Sequence, residues 1–258
     1  VLEKIPIRIH VNGSRGKSSV TRLIAAGLRH GGFRTMAKTT GSSPRIIDTN
    51  GTDREIQRLR SASIGEQVKL LRFFSKQKLD AVVMECMAVQ PEYQWISEHK
   101  MLKSTMGVIT NIRPDHIEEM GPTMTDITKS LGNTIPGNKA IIIAPSDHQN
   151  TLQKIANDKN SKLVITDPDE IESSYMEKFS HLEHKENVAL SLEVCTQLGI
   201  EKDTALEGML TARPDPGALS IKKIAFGEKH NFFVNAFATN DPQSTLQIWE
   251  IVKKQIPL

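Results

Sequence analysis

Residues 12–19 read Asn-Gly-Ser-Arg-Gly-Lys-Ser-Ser, a combination of residue types that can bind phosphate. Glycines let backbone N–H groups turn toward phosphate oxygens, and the start of a helix adds partial positive charge. In such a loop the lysine, here Lys17, reaches the β- and γ-phosphates, and the following serine, here Ser18, ligates Mg²⁺. The segment therefore predicts phosphate chemistry on a nucleotide.

The loop is shorter than the common form G-x-x-x-x-G-K-[ST], because Val11 stands where the first glycine is required and Gly13 is the nearest one. The alternative is a polar turn that caps a helix. An apolar strand before the loop and an apolar helical pattern after it favour a phosphate loop. The residues expected to bind the nucleotide here are Gly13, Ser14, Arg15, Gly16, Lys17, Ser18 and Ser19.

Two polar groups follow apolar strands farther along the chain. Glu85 comes directly after residues 81–84, and Asp115-His116 comes after residues 106–112. The carboxyl ends of parallel strands share one edge of a sheet, where α/β proteins build their sites. A carboxylate beside a phosphate loop suits Mg²⁺, which prefers oxygen ligands. The alternatives are a strand-end salt bridge for Glu85 and a structural or solvated role for His116.

Two further stretches have both a chemical and an ordinary interpretation. Residues 38–41, Lys-Thr-Thr-Gly, could contact phosphate or an acceptor carboxylate, or they could form a simple turn. A long polar stretch follows, whose arginines could attract a polyanionic chain, although charge on a mobile loop is usually solvated. Those arginines are Arg45, Arg54, Arg58 and Arg60.

Apolar runs alternate with helical patterns, which predicts βαβ units and a parallel sheet. The expected fold class is α/β, a mostly parallel sheet that contains the phosphate loop and is flanked by helices. The predicted strands are residues 5–11, 81–84, 106–112, 140–144 and 163–165. The predicted helices are a first one that begins near Lys17 and ends at Gly31-Gly32, and others near residues 65–78, 123–134, 148–157 and 187–198.

Residues 213–217, Arg-Pro-Asp-Pro-Gly, break regular structure strongly. After them we expect one strand, residues 232–238, and one helix, residues 244–254. One strand and one helix cannot cover both faces of a sheet. We therefore expect an ATP-binding domain over residues 1–212, then a hinge and the incomplete start of a second, Rossmann-like α/β domain over residues 213–258.

The amino-acid composition narrows the classes of protein to which the chain could belong. The 258 residues are 38% hydrophobic and 24% charged, which is typical of a globular protein. Their net charge of +3 comes from scattered cations with only 5% aromatic residues, which argues against a nucleic-acid groove. Cys86 and Cys195 are expected to be free thiols. The chain lacks a starting Met, which indicates trimming, so a membrane anchor could lie upstream.

The phosphate loop resembles that of the Mur ligase superfamily, usually Gly-Thr-x-Gly-Lys-[Thr/Ser]-[Thr/Ser]. Within that superfamily the chain is most similar to the ligase subunits of poly-γ-glutamate synthase, the CapB/PgsB type. The stretches that support this closer resemblance are residues 38–41, 64–67, 85–89, 115–116, 120–123, 214–218 and 238–242. The resemblance implies a central domain like that of the Mur ligases.

The resemblance also implies roles for single residues. Lys17, Glu85 and His116 would be catalytic, and Ser18, Glu85 and His116 would hold Mg²⁺. Asn187 would approach the adenine of ATP and Asp241 the ribose, although a helix cap and a turn are their ordinary alternatives. The superfamily's carbamylated lysine is absent, because Leu131 occupies its position and Lys129 lies two residues earlier.

The activity that this resemblance implies is ATP-dependent amide ligation. A glutamate γ-carboxylate takes the γ-phosphoryl group of ATP, and the amine of another glutamate attacks the resulting acyl phosphate. The product would be capsular poly-γ-glutamate. The implied partners are small membrane subunits of a synthase complex and further copies of the chain, on the cytoplasmic side of the membrane.

Two alternatives remain at this point. A ligase like folylpolyglutamate synthase is disfavoured by Leu131 and by residues 85–89, Glu-Cys-Met-Ala-Val. A nucleotide-binding switch with a phosphate loop would use the same loop without ligating anything. Release of ADP that depends on glutamate separates a ligase from a switch.

Overall fold

The computed structural model describes residues 1–41, 43–58, 63–226, 229–237 and 242–255. Within these residues, the strands of the main sheet are β1 Ile7–Asn12, β2 Thr35–Thr39, β3 Arg45–Ile47, β4 Asp53–Glu55, β5 Ala81–Glu85, β6 Met106–Ile109, β7 Ala140–Ile143 and β8 Lys162–Ile165. Their order is β4-β3-β2-β5-β1-β6-β7-β8. Neighbours from β2 to β8 are parallel, and β3 and β4 add an antiparallel edge.

Helices cover both faces of this sheet. They are α1 Lys17–His30, α2 Gly65–Phe74, α3 Pro91–Ile96, α4 Ile117–Met120, α5 Met124–Gly132, α6 Gln149–Asp158, α7 Ser173–Met176, α8 Lys185–Gln197 and α9 Lys202–Leu210. A π-helical segment, Ser97–Leu102, continues α3. The predicted α/β class, with the phosphate loop between β1 and α1, is confirmed.

Alternating side chains of the central strands build separate cores on the two faces. Val11 and Val83 pack with α1, α8 and α9 on one face. Val82 and Met84 pack with α2 on the other face, and Ile141 and neighbouring residues pack with α6. Because β5, β6 and β7 are buried on both faces, they read as continuous apolar runs in the sequence, whereas β1 alternates apolar residues with Arg8, His10 and Asn12.

The polar stretch that contains the arginines is not all loop, because two short strands, β3 and β4, form within it. Arg45 Nε lies 3.4 Å from Asp53 Oδ2, whereas the Arg54 side chain is 63% exposed, as expected for a solvated charge. The Arg22 side chain is 3% exposed, and its Nη1 donates to both oxygens of Asp53 at 3.0 and 2.9 Å. Arg54 lies 3.7 Å from Asp48, and Arg60 lies outside the described residues.

The segment after residues 213–217 also differs from the prediction. Instead of one strand there are two, β9 Ser220–Phe226 and β10 Lys229–Asn235, which pair antiparallel as a separate sheet. The helix α10 follows at Pro242–Gln255. None of the helices in the described part of the chain combines the length and apolar character that a membrane span needs.

Candidate active site

A cleft of about 510 Å³ opens at the carboxyl ends of β1 and β5, beside the phosphate loop. Its walls come from the loop, the turn after β2, the end of β5, the segment before α4 and the connector after α9. The polar and glycine residues along these walls include Ser14, Arg15, Gly16, Lys17, Ser18, Ser19, Thr40, Gly41, Glu85, Asp115, His116 and Asp215. The fold therefore brings together most of the residues singled out from the sequence.

The two glycines of the loop are required by its geometry. Gly13 has φ +132°, and a Cβ there would lie 2.1 Å from Thr110 Oγ1. Gly16 has φ +81°, and a Cβ there would lie 2.8 Å from Asn187 Oδ1. Residues with a side chain rarely adopt such φ angles and would also collide with these neighbours. The shortened loop thus has glycine where the backbone turns left-handed and where other segments approach closely.

The segment after β6 holds the loop in place. The backbone N–H of Ser14 donates to the Asn111 carbonyl and that of Arg15 to Asn111 Oδ1, both at 3.0 Å. The Ser14 hydroxyl donates to the Arg113 carbonyl at 2.9 Å. Ser14 is 3% exposed. Ser14 and Asn111 therefore fix the shape of the loop, a role that the loop sequence alone did not indicate.

Lys17 starts α1 and folds back over the loop. Its Nζ donates to the Gly13 carbonyl at 2.6 Å and to the Ser14 carbonyl at 3.0 Å. These are neutral acceptors, and a triphosphate would offer charged ones, which make stronger hydrogen bonds. The ammonium group is therefore held at the cleft by contacts that an anionic ligand can replace.

Glu85 ends β5 and is the most buried carboxylate that lines the cleft. It is 2% exposed, and its Oε2 accepts from Ser18 Oγ and from the Thr40 backbone N–H, each at 2.7 Å. Its Oε1 accepts from the Thr40 hydroxyl. These donors are neutral, and Ser18 and Glu85 present hard oxygen atoms side by side.

Lys38 does not reach the cleft, which corrects the idea that it contacts phosphate. Its side chain is fully buried, and Nζ lies 3.8 Å from Glu66 Oε1. Burial lowers the pKa of Lys38, and the negative charges of Glu85 and Glu66 oppose that shift. Glu66 is in turn bound by Arg58 Nε at 2.7 Å. Of residues 38–41, Thr40 and Gly41 line the cleft.

His116 and Asp115 lie on the opposite wall of the cleft. His116 has φ +45° and a side chain that is 49% exposed. Its Nε2 lies 3.9 Å from Asp115 Oδ1, and its Nδ1 lies 3.8 Å from Glu119 Oε2. Asp115 Oδ1 also lies 3.8 Å from Arg15 Nη2. The imidazole thus faces the phosphate loop from a position that leaves it free to reorient.

The oxygen atoms of Ser18 and Glu85 fit Mg²⁺, because that ion takes hard oxygen ligands and keeps several waters. Within the described residues, no group of three or more His, Cys, Asp or Glu side chains converges closely enough to hold a metal ion. Leu131 is fully buried beside Met120 and Ile127, while Lys129 is exposed. The position of the carbamylated lysine is therefore filled by an apolar core.

Asn187 lies beside the loop, on α8. The residue that caps this helix is His184, so the helix-cap alternative for Asn187 was wrong. Asn187 Nδ2 donates to Glu183 Oε1 at 2.7 Å, which turns Oδ1 toward Gly16. A second cleft of about 820 Å³ begins here, between Asn187 and the Ala144–His148 turn. Asp241 lies outside the described residues.

Family models match nearly the whole chain. The Mur ligase middle domain matches residues 11–209. The chain belongs to the Mur ligase family. A second model, the poly-gamma-glutamate synthase CapB C-terminal domain, matches residues 221–258. The resemblance seen in the phosphate loop is thus confirmed, and so is the closer resemblance to the CapB type.

Two curated relatives of this Mur ligase family member are CapB proteins of bacilli. The chain is 41% identical over 254 residues to the capsule biosynthesis protein CapB of Bacillus anthracis, covering 97% of the chain and 54% of the relative. It is 39% identical over 255 residues to the PGA synthase CapB of Bacillus subtilis strain 168, covering 98% of the chain and 65% of the relative. The chain therefore spans roughly half to two thirds of these proteins.

Solved structures show the same fold at low sequence identity. A bifunctional folylpolyglutamate synthase/dihydrofolate synthase with Mn, AMPPNP and L-glutamate bound has a TM-score of 0.69 at 16% identity, covering 98% of this chain and 67% of that one. A G51S mutant of the L. casei folylpolyglutamate synthase has a TM-score of 0.71 at 15% identity, covering 98% and 72%. At this identity the similarity establishes the fold alone.

Proposed function

We propose that the chain is the nucleotide-binding part of an ATP-dependent amide ligase that joins glutamate through its γ-carboxylate into poly-γ-glutamate. The observation that supports this most strongly is the Ser18–Glu85 pair beside Lys17, in a Mur ligase family member that is 41% identical to a capsule biosynthesis protein. A strand-end salt bridge, the ordinary interpretation of Glu85, does not match its neutral partners.

Ser18 and Glu85 would hold Mg²⁺, with His116 at the opposite wall as a ligand for a second ion. A bound Mg²⁺ would supply positive charge that offsets the charge developing on the β- and γ-phosphates. The Mn bound in the solved folylpolyglutamate synthase structure is consistent with a divalent ion at a fold of this kind.

Lys17 and the loop position the triphosphate. The Lys17 ammonium group leaves the Gly13 and Ser14 carbonyls and contacts the β- and γ-phosphate oxygens. Backbone N–H groups at the start of α1 contact the same phosphate oxygens. Asn187 offers Oδ1 near Gly16 at the mouth of the second cleft, where the nucleoside would lie.

The reaction has two displacements. A carboxylate oxygen of the acceptor forms a bond to the γ-phosphorus as the bond to the ADP oxygen breaks, giving an acyl phosphate and ADP. The amine of the next glutamate then forms a bond to the carbonyl carbon, phosphate departs, and the amine loses a proton. Lys17 and the N–H groups hold the phosphoryl oxygens in line for the first displacement, and closure over the cleft excludes water from the acyl phosphate.

The same proposal covers the organisation of the protein. Residues 1–212 form the ATP-binding domain, and residues 213–258 form a hinge and the start of a C-terminal domain. The separate β9–β10 sheet and the match of residues 221–258 to a C-terminal domain model support this division. The names of the relatives support a capsule polymer as product. Membrane partner subunits, a cytoplasmic membrane face and self-association belong to the proposal only as what the family resemblance implies.

The test is ADP release with and without glutamate. The chain is incubated with ATP and Mg²⁺, each glutamate enantiomer is added separately, and ADP and γ-linked products are measured. A ligase gives ADP release that rises with one or both enantiomers. Equal release without glutamate would identify a nucleotide-binding switch and contradict the proposal.

A further inference from the structure

Asp215 belongs to the connector between α9 and β9, yet its carboxylate reaches the phosphate-loop cleft. It is 9% exposed and lines the same cleft as Ser18 and Glu85. Its Oδ1 accepts the backbone N–H of Gly217 at 3.0 Å, and its carbonyl accepts that of Ala218 at 2.8 Å. This tight turn fixes the direction of the side chain, so the carboxylate is aimed into the cleft by its own backbone.

Gly41 makes room for this carboxylate. A Cβ on Gly41 would lie 2.1 Å from Asp215 Oδ2 and 3.0 Å from Ser18 Oγ. The two oxygens therefore flank the same small volume. No side chain could occupy the position of Gly41 without displacing Asp215.

Arg22 anchors the connector on the loop helix. It lies one turn after Ser18 on α1, and its Nη2 is 3.9 Å from Asp215 Oδ2. Its Nη1 donates to the carbonyl of Arg213 at 3.2 Å, in addition to Asp53. These contacts hold the Asp215 carboxylate against the helix that carries Ser18.

We propose that Asp215 is a positioning residue for the metal–nucleotide complex. It would accept hydrogen bonds from water bound to the ion at Ser18 and Glu85, and so would hold the connector in place when that complex binds. The inference rests on the proposed function, because it requires a metal–nucleotide complex in this cleft. It adds a carboxylate of the connector to the phosphate- and metal-binding side chains of the main domain.

The sign of the charge makes the inference testable. An anion close to the triphosphate repels a nucleotide that carries no metal and attracts the hydrogens of metal-bound water. Loss of the charge should therefore leave metal-free binding unchanged or tighter while reducing the gain that the metal provides. A purely structural role would weaken both kinds of binding together.

The experiment measures AMPPNP affinity by calorimetry, with Mg²⁺ and with a chelator, for the unmodified chain, Asp215→Asn and Asp203→Asn. Asp203 is an exposed carboxylate on α9, away from the cleft, and serves as the matched control. We expect Asp215→Asn to reduce the Mg²⁺-dependent gain in affinity about tenfold, as is common for residues that orient metal ligands. Asp203→Asn should leave the gain unchanged.

Hydrogen exchange of residues 213–218 in the unmodified chain provides a measurement that needs no variant. Mg²⁺–AMPPNP should slow their exchange, whereas AMPPNP with chelator should not. An unchanged metal gain in a folded Asp215→Asn variant, or equal exchange with and without Mg²⁺, would overturn the role of Asp215 while leaving the proposed function standing. If the unmodified chain bound no nucleotide, both proposals would fail together.

Discussion

Glu85 and Glu98 are both buried carboxylates beside β1, but their partners differ. Glu98 is 1% exposed, and its Oε2 lies 2.8 Å from Nδ1 of His10, while its Oε1 accepts the Ser104 N–H at 2.8 Å. Glu85 is 2% exposed and is bound by the hydroxyls of Ser18 and Thr40 and one N–H group. Both carboxylates are satisfied, one by a buried cation and the other by neutral donors.

The different partners of Glu85 and Glu98 indicate which of the two buried carboxylates can bind a ligand. Burial lowers the pKa of His10, but the neighbouring Cys86 and Glu98 more than offset this and raise it to about 10. Burial raises the pKa of Glu98, and His10 and Ser104 lower it below its ordinary value overall. His10 and Glu98 thus satisfy each other as a buried ion pair. The hydroxyls of Ser18 and Thr40 that donate to Glu85, in contrast, can rotate away when a metal ion binds. Burial alone does not mark a functional carboxylate.

The largest expected effect is on stability, from Glu98→Gln. Removing one partner of a buried ion pair leaves an uncompensated charge, which costs about 3–5 kcal/mol in unfolding free energy. Urea denaturation of Glu98→Gln and Glu85→Gln compares their unfolding free energies. Glu85→Gln should lose much less unfolding free energy than Glu98→Gln. Equal losses in both variants would show that Glu85 is as structural as Glu98.

Lys17→Ala tests the phosphate loop, where we expect a loss of activity rather than a loss of stability. Lys17 Nζ contacts only carbonyls of its own loop among the hydrogen bonds of the described residues, so its loss should leave unfolding unchanged. Turnover of ATP should fall about 10²–10³-fold, since one charge-stabilising donor in a preorganised site has that value. Lys129→Ala, an exposed lysine on α5, is the control, and full turnover in Lys17→Ala would refute the role of the loop.

The His10–Glu98 pair predicts a dependence of stability on pH. The pKa of His10 is higher in the folded chain than the unfolded value of 6.5, so the folded state retains a proton that the unfolded state releases. The stabilisation is complete below pH 6.5 and is lost as the pH rises toward 10. Between pH 7 and 9 the unfolding free energy should fall by about 2 kcal/mol relative to His10→Leu/Glu98→Met, which lacks both titrating groups. A constant difference between the two proteins would contradict the ion pair.

The phosphate loop and the main strands could be predicted because their signals are local. Gly13, Gly16 and Lys17 lie within one short segment, and Glu85 follows directly on an apolar run. The His10–Glu98 pair joins residues 88 positions apart, and Asp53 of β4 binds Arg22 of α1 and Arg45 of β3. Such contacts form only when the fold is assembled, so no local sequence pattern predicts them.

Asp215 and Lys38 illustrate the same limit inside the site. Asp215 stands in a segment that the sequence marks only as a structure breaker, and its approach to Gly41 depends on how the connector crosses α1. Lys38 has the residue type of a phosphate ligand, but the pleat of β2 directs it into the core. The residue type indicates a possible chemistry, but the orientation of the side chain on its strand decides whether that side chain faces the ligand.

The central claim is that Ser18 and Glu85 together hold the metal of a metal–nucleotide complex. The most direct measurement is AMPPNP affinity with Mg²⁺ and with chelator for the unmodified chain, Glu85→Gln and Glu201→Gln, an exposed carboxylate at the start of α9 that does not line the cleft. We predict that Glu85→Gln reduces the Mg²⁺-dependent gain at least tenfold, about 1.4 kcal/mol, with metal-free affinity retained. Glu201→Gln should behave as the unmodified chain. An undiminished Mg²⁺ gain in Glu85→Gln would contradict this claim.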